Sequence, residues 1–72
     1  MTFDEILEKM DEQMMWEAKI LLSVSVKRGM YEVQEEIKEF LKKEKLRAIC
    51  TPEEFMQAFF TEHSIHIKGE IK

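Results

Sequence analysis

The fold is decided by residues 3–28, which read FDEILEKMDEQMMWEAKILLSVSVKR. Apolar residues recur there at steps of three and four, so one helix face collects Phe3, Ile6, Leu7, Met10, Met14, Ala18, Leu21 and Val24. Thr2 and Glu5 have the spacing of a capping box at the start, and Gly29 suits the left-handed position beyond the end. The pattern predicts one helix over about 3–28.

The end of this stretch also permits a strand. Residues 22–27 alternate between apolar and polar side chains, and their β-branched valines favour extended structure. An α+β fold with residues 20–28 as a strand is therefore the alternative to a mainly α fold. The helical stripe that continues through Val24 and the stop signal at Gly29 favour the helix.

Two more helices are predicted after Gly29. Over about 30–45, a second apolar stripe lies opposite a charged face and contains Met30, Val33, Ile37, Phe40 and Leu41. With so short a connection, the first two helices must fold back as an antiparallel hairpin. Thr51 and Glu54 have the spacing of a second capping box, and with Pro52 at the first helical position they mark the start of a short third helix over about 52–62. Its apolar face collects Phe55, Met56, Phe59, Phe60 and His63.

The segments around the third helix do not follow a helical period. Residues 46–50 fail to extend the second stripe, and residues 64–71 alternate at period two. These patterns predict a minor two-stranded β element formed by about 46–50 and 64–71. All 72 residues are expected to form a single small domain, 1–72.

Composition narrows the class of function. A net charge of −4 disfavours a general nucleic-acid binder, which carries a basic excess. Cys50 is the single cysteine, and the start of the sequence lacks the basic and apolar regions of a signal peptide. We therefore expect a cytoplasmic protein. The longest apolar run, 20–22, is too short to cross a membrane.

No pattern in the sequence predicts catalysis, a cofactor or a metal. Ligand-type side chains are present near the third helix: Cys50, Glu62, His63 and His66. They lack the paired short spacings of a structural zinc site. Cys50 occupies the position before the cap of the third helix, where a small apolar side chain is expected to pack. We therefore expect a protein that is not an enzyme.

A basic cluster supports an alternative function, that of a small dimeric DNA-binding regulator. The cluster spans Lys42–Arg47 and contains Lys42, Lys43, Lys45 and Arg47. A helix that reads bases exposes Arg, Lys, Asn or Gln. The third helix instead exposes Glu53, Glu54 and Glu62, which repel phosphates.

The second half of the first predicted helix carries more apolar residues than one buried face needs. Outside the main stripe lie Met15, Trp16, Ile20 and Val26. At about 100° per residue, Trp16 and Ile20 point well away from the stripe centre. A helix that is apolar nearly all round is buried on more than one side. Either the third helix and the tail cover this second side, or another molecule does.

We favour the intermolecular interpretation because a chain of 72 residues has few elements with which to cover two faces. Trp and Met are also typical anchors of protein interfaces. The sequence therefore predicts a small cytoplasmic regulator, adaptor or inhibitor that acts by protein–protein contact. It also predicts a homodimer that associates through the apolar surface of the first helix.

Overall fold

A computed structural model describes residues 1–70, which form five α-helices and one 3-10 turn. The helices are α1 (Phe3–Glu8), α2 (Glu12–Arg28), α3 (Gln34–Leu41), α4 (Glu44–Arg47) and α5 (Pro52–Glu70). The 3-10 turn, Met30–Val33, leads directly into α3. The prediction of a mainly α fold is confirmed.

The first predicted helix is in fact two helices. α1 ends at Glu8, and α2 starts after Asp11, whose side chain accepts a hydrogen bond of 2.8 Å from the Met14 N–H. This is the interaction of an N-cap residue, which satisfies a backbone donor that a helix start leaves open. Met10 and Met14, on either side of the break, are both buried. The apolar stripe therefore continues although the helix does not.

α2 stays helical up to Arg28, so the alternative with residues 20–28 as a strand is wrong. The chain leaves the helix at Gly29, whose φ of 99° lies in the region that favours glycine. The Gly29 N–H donates to the Ser25 carbonyl at 2.8 Å and closes the last turn. The predicted stop at Gly29 is confirmed.

Both predicted capping boxes are present. The Glu5 N–H donates to Thr2 Oγ1 at 3.2 Å, and the Thr2 N–H donates to Glu5 Oε1 at 2.9 Å. Thr51 and Glu54 make the same pair of bonds, each of 3.1 Å, at the start of α5. The backbone N–H groups of Thr2 and Thr51 lower the pKa of Glu5 and of Glu54, because they bind the charged carboxylates.

α2 and α3 run antiparallel, as the hairpin prediction requires. Glu17, early in α2, lies 3.1 Å from the Lys43 ammonium, just beyond α3. Asp11, before α2, lies 3.0 Å from the Lys45 ammonium, further along the chain. The second predicted helix, 30–45, is interrupted: it begins as the 3-10 turn, and α3 ends at Leu41 before the short α4.

The predicted β element is wrong, because residues 1–70 contain no strand. The first predicted strand, 46–50, begins within α4 and ends in a turn closed by the Cys50 N–H, which donates to the Leu46 carbonyl at 3.0 Å. Of the second predicted strand, 64–71, residues 64–70 belong to α5, which continues to Glu70 instead of ending near residue 62. Residue 71 lies outside the described residues. A continued helix satisfies backbone groups that a strand without a partner leaves open.

The core is organised around Phe55, which is fully buried at the start of α5. Its ring centroid lies 6.2 Å from that of Phe3, 5.3 Å from that of Phe40 and 5.7 Å from that of Phe59. These contacts join α1, α3 and α5. α2 contributes Met14, Ala18 and Leu21 of the predicted stripe to the same core. The contact between Phe40 and Phe55 therefore helps to hold α3 in place beside α2.

Candidate functional site

The Trp16 groove is a surface cavity of about 610 Å³ between α2 and α3. Its apolar lining consists of Trp16, Ile20, Leu21 and Phe40, and its charged lining consists of Glu17, Glu35, Glu36, Glu39 and Lys43. Leu21 and Phe40 are buried and form the floor. Trp16 and Ile20 lie one helical turn apart on α2 and form one wall of the groove. Trp16 is 65% exposed and Ile20 is 40% exposed.

The charged lining of this groove is mainly acidic. Lys43 lies 3.1 Å from Glu17, so these two charges compensate each other within the groove. The other glutamates all lie on α3. Two of them make exposed ion pairs, Glu35 with Lys38 at 3.7 Å and Glu39 with Lys42 at 3.5 Å. Neither lysine lines the groove. Exposed pairs of this kind are weak. The α3 edge therefore presents negative charge to anything that enters.

The four residues predicted as a protein-binding set do not form one surface. Trp16 and Ile20 lie together in the Trp16 groove. Met15 is half-buried and packs against the core. Val26 is also half-buried, and it lines a smaller groove with Lys19 and His66. The helical spacing placed all four outside the main stripe correctly, but they divide between two sides of α2.

A second apolar groove, which the sequence analysis missed, lies where the 3-10 turn and α3 face α5. This Tyr31 groove has a volume of about 550 Å³. Its lining consists of Met30, Tyr31, Gln34, Ile37, Lys38, Leu41 and Met56. Tyr31 is 86% exposed. The stripe of the second predicted helix included Met30, Ile37 and Leu41, but it gave no sign that α5 would leave part of this stripe open.

One member of the predicted buried face of the third helix points outward. Phe60 is 59% exposed, whereas Phe55, Phe59 and His63 are buried as predicted. The reason is angular, because Phe60 follows Phe59 by about 100° around α5. Ile65, predicted in a strand, is also exposed on this helix.

The buried Ser25 and His63 form a polar contact between α2 and α5. The Ser25 hydroxyl donates to the Leu22 carbonyl at 2.8 Å. Its oxygen lies 3.0 Å from His63 Nδ1, which donates to it in the tautomer that carries its proton on Nδ1. Because Ser25 is fully buried and its proton is already engaged, this pair joins two helices and does not present a nucleophile.

The ligand-type residues near α5 are held apart by other contacts. His66 Nε2 lies 3.3 Å from the Glu62 carboxylate, while His63 is bonded to Ser25. Cys50 is buried, and burial, followed by the charge of Glu54, raises the pKa of its thiol. A protonated thiol is a poor nucleophile and a poor metal ligand. Among the side chains that the structure describes, those of residues 1–69, no group of three from His, Cys, Asp or Glu is arranged to hold a metal.

The basic cluster of the DNA-binding alternative faces carboxylates. Three of its four members form ion pairs: Lys42 with Glu39, Lys43 with Glu17 and Lys45 with Asp11. A phosphate backbone that approached these lysines would also meet the paired carboxylates. This arrangement does not favour binding to nucleic acid.

Comparison of the chain with protein-family models, with curated proteins and with solved structures finds no significant match. Among the helices of residues 1–70, none has both the length and the apolar character needed to span a bilayer.

Proposed function

We propose that this protein is a small regulator, adaptor or inhibitor that acts by docking a protein partner in the Trp16 groove. One observation carries the proposal: Trp16 is 65% exposed and Ile20 is 40% exposed beside an apolar cavity, although the chain closes a core of its own. Full burial of a large apolar side chain contributes about 1.5–3 kcal/mol relative to full exposure, and these partly exposed side chains leave a fraction of that free energy unrealised. A docked partner recovers that free energy by burying both side chains. Tryptophan is also enriched among the hot-spot residues of protein interfaces.

The nucleophile candidates support a binding role over an enzymatic one. Ser25 is buried and its hydroxyl donates to a backbone carbonyl. Cys50 is buried with a raised thiol pKa. The groove itself is lined by carboxylates and one lysine, which suit the recognition of charge. We place this activity in the cytoplasm, because a buried cysteine without a disulfide suits a reducing compartment.

Self-association through the apolar face of α2 stays a prediction. The core does not depend on a second copy, because its central phenylalanines come from α1, α3 and α5 of one chain. Light scattering over a range of protein concentrations tests the prediction directly. A dimer that dissociates in Trp16→Ala would support it, and a monomer at every concentration would contradict it.

Affinity purification with matched variants tests the docking proposal. The tagged protein is compared with Trp16→Ala and with Tyr31→Ala, which removes an exposed aromatic side chain from the other groove. We expect a protein captured by the wild type to be lost with Trp16→Ala and retained with Tyr31→Ala. Capture that is insensitive to Trp16 would overturn the assignment of the groove.

A further inference from the structure

The acidic side chains of the Trp16 groove form a row along one wall. Glu35, Glu36 and Glu39 lie at steps of one, three and four residues, so they occupy neighbouring positions on α3. The side chains of Glu35 and Glu39 are largely exposed and hold their lysines at 3.7 and 3.5 Å, distances typical of weak surface pairs. These carboxylates can exchange such partners for the charges of an incoming molecule.

The opposite wall of the groove has a different character. Trp16 and Ile20 on α2 present apolar surface, and Glu17 on that helix is occupied by Lys43. An occupant therefore meets an apolar wall on one side and an acidic row on the other. A single segment satisfies both walls when its own surface is divided into an apolar face and a basic edge.

A second copy of this chain fits the groove poorly. In a two-fold symmetric contact, the same patch meets itself. With the two-fold axis across the helices the acidic rows of the two copies face each other, and with the axis along the helices each acidic row lies over the apolar wall of the other copy. Neither arrangement gives the glutamates of α3 a cationic partner. Like charges brought together at an interface oppose association. Nucleic acid is disfavoured for the same reason, because its phosphates would meet the glutamates of α3.

The shape of the groove suits a helix. It runs between two antiparallel helices and has a volume of about 610 Å³. α3 has 8 residues, so its wall is about 12 Å long at 1.5 Å per residue. That length matches about two turns of a docked helix, which presents side chains at i, i+3, i+4 and i+7 to a groove.

We infer that the occupant of the Trp16 groove is a cationic amphipathic helix of another protein. Its apolar side chains contact Trp16 and Ile20, and its lysines or arginines pair with the glutamates of α3. This inference rests on the proposed docking function and adds the chemistry of the partner.

Three synthetic peptides without tryptophan test the inference against the full chain. The first is an amphipathic helix with a leucine face and lysine or arginine along both edges. The second has the same apolar face with glutamate at the edges, and the third has the composition of the first in scrambled order. Trp16 is the only tryptophan, so its emission reports on the groove directly. We expect a blue shift with the first peptide and no saturable change with the other two.

Salt provides a second measurement on the same complex. Raising the ionic strength from about 0.01 M to about 1 M shortens the Debye length from about 30 Å to about 3 Å. We expect the affinity of the cationic peptide to fall as salt is added. An affinity that is independent of salt would overturn the role of the glutamates.

Two matched double variants test whether the glutamates that line the groove bind the cationic peptide. Glu36→Gln combined with Glu39→Gln removes two carboxylates from the groove, whereas Glu8→Gln combined with Glu53→Gln removes two that do not line it. Each pair changes the net charge equally. We expect roughly five-fold weaker binding of the cationic peptide for the first pair, as two surface pairs contribute together. The second pair should bind within about two-fold of the wild type.

The outcomes separate this inference from the proposed function. Equal weakening by both glutamine pairs, or equal binding of the acidic peptide, would overturn the cationic partner. If either result were accompanied by a strong loss of peptide affinity in Trp16→Ala, measured by calorimetry, the docking proposal would survive. Peptide binding by Trp16→Ala at wild-type affinity would overturn both. A dimer that depends on Trp16, together with no peptide binding, would assign the groove to a second copy and overturn the inference alone.

Discussion

The two grooves beside α3 resemble each other in size and in apolar lining, but they differ in charge. The Trp16 groove has a volume of about 610 Å³ and is lined by four glutamates and one lysine. The Tyr31 groove has a volume of about 550 Å³, and its polar lining is Gln34 and Lys38. Apolar surface alone therefore does not tell these sites apart. The charge at the edge is what gives one of them a preferred class of partner.

The grooves also differ in how their aromatic residue is held. Trp16 projects from the second turn of α2 and has Ile20 one turn away on the same wall. Tyr31 projects from the 3-10 turn and is 86% exposed, compared with 65% for Trp16. A side chain on a rigid helix loses less freedom on binding than one on a short turn. This contrast favours the Trp16 groove as the docking site.

The largest expected effect is on the free energy of unfolding, and it comes from the packing of α3, the helix that both grooves share. α3 forms a wall of both, and its Phe40 packs on Phe55 with ring centroids 5.3 Å apart. Phe55→Ala should lower the free energy of unfolding by about 3–5 kcal/mol and disrupt both grooves together. The exposed Phe60 of the same helix is the matched control, and Phe60→Ala should change stability by less than about 0.5 kcal/mol. Urea denaturation measures both, and equal effects would contradict the assigned core.

The next effect separates the grooves. Trp16→Ala should weaken binding of the cationic peptide by about 2 kcal/mol, or roughly thirty-fold, because it removes the aromatic anchor of the interface. Tyr31→Ala should leave that affinity within about two-fold. Calorimetry measures the affinities, and urea denaturation checks that both variants remain folded. A greater loss with Tyr31→Ala would move the site to the Tyr31 groove.

A third prediction concerns a contact outside both grooves. In Ser25→Ala, His63 Nδ1 loses the buried oxygen that it reaches at 3.0 Å. A buried polar atom that loses its hydrogen-bond partner costs about 1–2 kcal/mol, so the free energy of unfolding should fall by that amount. Peptide affinity should not change, since neither residue lines the Trp16 groove. Ser23→Ala, at an exposed position of α2, should have almost no effect on stability, and an equal loss there would contradict the assigned hydrogen bond.

The parts of the fold that could be predicted are those marked by local chemistry. The capping boxes at Thr2 and Thr51 and the stop at Gly29 each depend on residues within four positions, so sequence spacing identifies them. The break at Asp11 also has a local signal, but the apolar stripe continues across it and hides it. Periodicity reports which residues are buried and does not report whether the helix between them is continuous.

The error at the tail has a long-range cause. The alternation of Ile65 and Ile67 fits a strand, yet α5 continues through both residues. Its path along α2 includes the bond between His63 and Ser25, which are 38 positions apart. No spacing in the sequence reveals such a contact. A two-residue period predicts a strand only where a partner strand exists, and the described residues offer none.

Only the part of the candidate site that lies on a single helix could be predicted from the sequence. The angular position of Trp16 and Ile20 on one helix followed from spacing alone, and both are exposed. The acidic wall could not be predicted in this way, because it depends on the tertiary packing of α3 against that side of α2. The Tyr31 groove likewise depends on how α5 passes the second stripe, so the sequence did not indicate it.

The smallest expected effect distinguishes glutamates that stabilise the fold from those that line the groove. Hydrogen bonds from Thr2 and Thr51 lower the pKa of Glu5 and of Glu54. The folded protein then binds fewer protons than the unfolded chain. The stability they contribute is therefore complete above the ordinary glutamate pKa of about 4.3 and is lost as the pH falls through the lowered values.

Replacing Glu5 and Glu54 with glutamine removes the charge but keeps an oxygen that can accept the same N–H groups. The double variant should be slightly less stable at neutral pH, and its stability should fall less steeply below about pH 4.3. Urea denaturation at a series of pH values measures that slope, and an unchanged slope would contradict the capping role. Peptide binding at neutral pH should match the wild type, because neither residue lines the Trp16 groove. Weakened binding would instead mean that the overall negative charge, and not the α3 row, attracts the partner.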